Sequence, residues 1–122
     1  MQIPKPTEAD KDRFRSLVPD DPRVQVKPMF GNLGAFVHGN MFMGLFGADV
    51  GVNLPPAQVG ELRSGGGGPF GPAERPMGGY VALPAAMLGT PEGGRWVARA
   101  LEHVAAKPPR GTAAQARRRS VR

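Results

Sequence analysis

From Val24 to Leu54 the chain never runs more than a few residues without a turn signal, and that rhythm constrains its fold most. Gly31-Asn32-Leu33-Gly34, His38-Gly39-Asn40 and Gly47-Ala48-Asp49 separate short apolar runs such as Met41-Phe42-Met43-Gly44-Leu45-Phe46. Such runs cannot make a helix of about ten residues, but strands of about four to eight fit between the turns. The spacing predicts an antiparallel meander with strands near residues 24–29, 35–37, 41–46 and 50–54. Pro28 has no amide hydrogen, so the first strand belongs at an edge or carries a bend. Tyr80-Val81-Ala82-Leu83 reads as the last strand, ended by Pro84.

Helices bracket the meander. Thr7 is a candidate N-cap and Pro19 a stop, which predicts a helix over residues 7–18 with Phe14, Leu17 and Val18 on one face. Pro55 opens a short helix over 56–62. Thr90-Pro91-Glu92 is a start signal, a cap followed by Pro at the first helical position. Trp96, Val97, Ala100, Leu101 and Val104 then form an apolar stripe running to about Ala106. The expected class is α+β: an antiparallel meander packed by N-terminal and C-terminal helices, with a short helix between strands.

The charge is unevenly placed. Of the net +6, residues 1–106 contribute nothing, with ten Lys/Arg against ten Asp/Glu. From Lys107 onward come Arg110, Arg117, Arg118, Arg119 and Arg122 with no acid. The expected organisation is one domain over 1–106 and a disordered basic tail over 107–122. The domain has no overall field drawing it to nucleic acid or membrane. The tail's cations are the candidate phosphate contacts, weak and nonspecific, because no aromatic residues are interleaved for base stacking. The other reading of the tail is a solvated terminus that keeps the protein soluble.

With no cysteine, disulfides, thiolate catalysis and Cys-type zinc sites are excluded. No signal peptide and no run of about 20 apolar residues is legible, so the expected location is the cytoplasm, away from membranes.

Val26-Lys27-Pro28-Met29-Phe30-Gly31, followed by Gly34, Phe36, Gly39, Met41 and Phe42, resembles the N-terminal domain family of the TfoX/Sxy competence regulators. Pro69-Phe70-Gly71, Arg75-Pro76-Met77 and Tyr80-Val81-Ala82-Leu83-Pro84 continue the likeness, which spans roughly residues 14–105. It implies a secretion-chaperone-like fold of a helix, a meander, a short helix, more strands and a final helix. It brings no catalytic residues. Asn32 stands where the family often has a second glycine, and its tolerance of the left-handed region should preserve the turn. TfoX-type regulators carry a second domain, where this chain has the basic tail.

Candidate chemistry is sparse. His38 and His103 offer a metal or acid–base role only with partners the sequence does not supply, so both read as structural. None of the three serines lies in a Gly-x-Ser-x-Gly elbow. Asp20-Asp21 before Pro22 reads as a solvated turn. Gly65 to Gly68 lack the Lys-Ser/Thr of a phosphate loop and read as a flexible linker. The expectation is a non-catalytic regulatory or protein-binding module without cofactor or metal. Its partner would be another protein or a second copy paired through the 24–29 edge. The alternative is a small-ligand protein or enzyme with a pocket near His38, Asp49 and Gly31–Gly34.

Overall fold

A computed structural model describes residues 3–109. The first helix, α1 (Glu8–Leu17), is started by a reciprocal cap: the Asp10 amide donates to Thr7 Oγ1 (3.0 Å) and the Thr7 amide to Asp10 Oδ2 (2.9 Å). Two backbone donors that a helix start leaves unpaired are thereby satisfied. Four strands follow as β1 (Val24–Met29), β2 (Asn32–Val37), β3 (Asn40–Phe46) and β4 (Asp49–Asn53). Next come α2 (Pro56–Ser64), β5 (Tyr80–Ala82), a 3₁₀ turn (Ala85–Met87) and α3 (Pro91–Ala105). The sheet is antiparallel throughout, ordered β1-β2-β3-β4-β5, as the α+β meander reading requires.

The turns are tighter than expected at the first hairpin. Met29 pairs with Asn32, so the turn is Phe30-Gly31 alone, both left-handed (φ 50° and 81°). Asn32 and Leu33, expected in the turn, already belong to β2. His38-Gly39 repeats this geometry (φ 52° and 81°) between Val37 and Asn40. Both central residues at positive φ match the right-handed twist of the flanking strands.

One extra residue decides which side chains face the helices. Ala35 pairs with Met43 but Phe36 with Met41, so Phe42 is inserted as a bulge. Phe42 and Met43 are both fully buried in the core. The insertion leaves Met41 on the opposite face, as a bulge re-aims side chains. On the helix-bearing face, α3 lays Trp96, Val97, Ala100, Leu101 and Val104 over Ala35, Met43, Val50 and Val52. Arg23 ties this layer to the start of β1, bridging Asp21 (2.8 Å) and Glu102 (3.1 Å). Its guanidinium holds the Asp21 carboxyl down to about 2, helped by the Arg23 backbone amide.

The glycine run after α2 is not a loose linker. Gly68 and Ala82 exchange backbone bonds (3.1 and 2.8 Å), and the Gly67 amide donates to the Leu62 carbonyl (2.9 Å). A Cβ at Gly67 would crowd Val81, so the segment packs on β5 because it lacks side chains.

Candidate apolar binding groove

Among the described residues, no helix packs on the other face of the sheet. Gly34, Gly44 and Gly51 stand in register across β2, β3 and β4, forming a strip of bare backbone. Glycine inside a strand marks a place where another group approaches the backbone closely. Here that group is Phe70, whose ring covers Gly51 so closely that a Cβ there would overlap it. Phe70 also meets Phe46 edge-on (centroids 6.2 Å apart) and stacks on Tyr80 (5.8 Å). The Met77 amide donates to the Phe70 carbonyl (2.8 Å), which closes the 70–77 loop over the strip.

Asn32 fixes the opposite wall. It is the buried polar residue of the core, 5% exposed. Its Nδ2 donates to the Pro4 carbonyl (3.1 Å) and its Oδ1 accepts from the Gly47 amide (2.9 Å). The N-terminal segment and the β3–β4 turn are thus held by one side chain. Asn32 is not left-handed, so its value here is its amide rather than the tolerance expected of it.

Between these walls lies an open groove of about 310 Å³ lined by Ile3, Met29, Phe30, Leu33, Met41, Gly44, Phe46, Phe70, Pro72 and Met77, among others. Phe30, at the tip of the first hairpin, is 79% exposed at its rim. A second lobe, also about 310 Å³, shares Met29, Met41 and Met77 with the first and adds Phe36, Asn40, Asn53, Tyr80, Val104 at the end of α3 and Lys107. The Lys27 ammonium sits 4.8 Å from the centre of the Phe36 ring. The Tyr80 hydroxyl donates to the Met41 carbonyl (2.9 Å), and burial pushes the phenol up, opposed by Asn53.

His38, Asp49 and Gly31–Gly34 do not assemble into a pocket. His38 is exposed in the β2–β3 turn, at the opposite end of the sheet from Asp49 at the start of β4. The groove opens at the Phe30-Gly31 end and contains neither residue. His103, on α3, is depressed by burial and then by Lys107. Among the described residues no three His, Cys, Asp or Glu side chains come together to hold a metal ion. None of their helices is long and apolar enough to cross a membrane. Lys107 is exposed beyond α3, near where Asn40 Nδ2 donates to the Pro108 carbonyl (3.0 Å). Arg110, Arg117, Arg118, Arg119 and Arg122 lie outside the described residues.

Met29, Phe30, Phe36, Met41 and Phe46 are thus separated from Phe42 and Met43 by the sheet, a division that apolar composition alone does not show. The signal for the division is the glycine set 34/44/51, of which Gly44 and Gly51 lie inside predicted strands while Gly34 falls in a predicted turn.

The architecture is a helix-backed antiparallel meander with an apolar groove on its open face. The family model of the TfoX N-terminal domain matches residues 12–104, and the chain belongs to that family. No curated protein and no solved structure shows a significant match to it. The family supports a regulatory or binding module in general and is not a known enzyme family.

Proposed function

We propose that this chain is a non-catalytic regulatory or protein-binding module whose working surface is the helix-free face of the sheet. The observation that carries the reading is Phe30, a large aromatic left 79% exposed at the rim of an apolar groove. Exposed apolar surface continuous with a groove is the usual mark of an interaction site. Aromatic and Met side chains supply area and adaptability in such sites. The cytoplasm is the proposed location, and the tail cations from Lys107 to Arg122 add weak, salt-sensitive contact with nucleic acid.

An apolar fluorescent probe such as anilinonaphthalene sulfonate tests the surface. It should bind the wild type, and Gly44→Val should abolish binding, because the new side chain rises between Met41 and Phe70. Met77→Asp, at a partly exposed wall position, serves as the second variant if Gly44→Val does not fold. Undiminished binding in a folded variant defeats the reading. For the tail, replacing Arg117, Arg118 and Arg119 by Ser should flatten the salt dependence of binding to random DNA. An unchanged slope removes the nucleic-acid role.

A further inference from the structure

We propose that the two lobes of the groove form one site for a straight-chain carboxylate, its chain in the apolar lobe and its anionic head among Lys27, Lys107 and Asn53. The proposal rests on the reading of this face as the binding surface and adds the small molecule that governs it.

Three observations point to that chemistry. The first lobe is lined almost wholly by carbon and sulfur, with Asn32 already committed to Pro4 and Gly47. Nothing there is left to fix the orientation of a polar ligand, so an alkyl chain fits best. The second observation is continuity. The lobes share Met29, Met41 and Met77 as lining, unbranched side chains that re-pack with little resistance. A chain passing between them reaches from the Phe70 wall to Lys107. The third is charge. Neither lobe is lined by Asp or Glu, whereas Lys107 lines the second and Lys27 stands over its Phe36 wall. An anion is therefore attracted and a cation is not.

Size sets the chain length. The apolar lobe, about 310 Å³ and open along one side, is of a size for a medium-length alkyl chain. Decanoate and dodecanoate are the matching acids. A bound acid would occupy the surface beside Phe30 and so compete with, or complete, the face offered to a protein partner.

The test is calorimetry on the full chain with octanoate, decanoate, dodecanoate and, as the uncharged control, decanol, all as monomers. Each two-carbon step up to the length limit should tighten binding about fifteenfold, at about 0.8 kcal/mol per methylene. Decanoate should bind up to about fivefold more tightly than decanol, the range of a solvent-exposed charge contact. The double variant Lys27→Gln/Lys107→Gln should remove that preference and leave decanol unchanged. Both lysines are exposed, so folding is not at stake. The methyl resonances of Met29, Met41 and Met77 should move in the titration. Equal affinity for acid and alcohol, with those methyls moving, overturns the carboxylate proposal and leaves the groove as the binding surface. No binding of decanoate or dodecanoate also overturns the proposal, and the Gly44→Val probe experiment then decides separately whether the surface itself survives.

Discussion

Replacing Gly51 by Ala should be costly only while Phe70 is present. Gly51 lies in β4, and the Phe70 ring rests directly on its Cα, where a Cβ would overlap three ring carbons. Phe70 is nearly fully buried by this contact and by Phe46 and Tyr80. The methyl group must either displace the ring or bend the strand. Overpacking of this kind costs about 1–3 kcal/mol, and losing the burial of a Phe side chain about 1.5–3 kcal/mol. Gly51→Ala should therefore destabilise the domain by about 2 kcal/mol. In a Phe70→Ala background the obstacle is gone, and Gly51→Ala should change stability by less than about 0.5 kcal/mol, with a small gain from the stiffer unfolded chain. The coupling in the double-mutant cycle is then about 2 kcal/mol. Urea unfolding followed by the fluorescence of Trp96, the single tryptophan, measures all four proteins. Equal effects of Gly51→Ala in both backgrounds would refute the placement of Phe70 on the glycine strip.

Three further outcomes follow from the same geometry. Gly93→Ala should destabilise by about 2–3 kcal/mol, because its Cβ would overlap the Met87 carbonyl, whereas Gly94→Ala meets open space and should stabilise by up to about 1 kcal/mol; opposite signs in thermal unfolding check this. Asn32→Ala should cost about 2 kcal/mol and accelerate amide exchange at Gly47, whose buried N–H loses its acceptor; unchanged exchange would contradict the staple. The Asp21 carboxyl is lowered from 3.8 to about 2 in the folded protein, so its contribution is complete above about pH 4 and disappears as the pH falls to 2. Asp21→Asn should thus melt lower than wild type at neutral pH, with the two melting curves converging between pH 4 and 2; parallel curves would refute the Asp21–Arg23 linkage.

The elements were readable where local chemistry and tertiary demand agree. Thr7 and Thr90 cap helices, Pro28 sits on an edge strand, and the α3 stripe faces the sheet. The errors arose where long-range contact decides. Glycines mark turns, so the sequence places the first turn over 31–34, yet Phe30 takes the left-handed position and Gly34 pairs with Gly44 inside the sheet. Composition reads the 65–68 run as a linker and cannot show that Gly67 packs against Val81. The bulge at Phe42 is invisible in a run where every residue is apolar, and without it Met41 cannot be assigned to the open face. The groove stays hidden in the sequence because its lining brings together Gly44 inside a strand and Phe70 in an irregular loop, far apart along the chain.

The most direct test of the helix-free face as the working surface uses methionine methyl resonances. Met29, Met41 and Met77 line the groove, Met43 is fully buried in the core, and Met87 lies by the start of α3. Titration with anilinonaphthalene sulfonate should shift Met29, Met41 and Met77 together and leave Met43 and Met87 in place. Shifts at Met87, with the three groove methyls unmoved, would place binding between α1 and α3 and contradict the account.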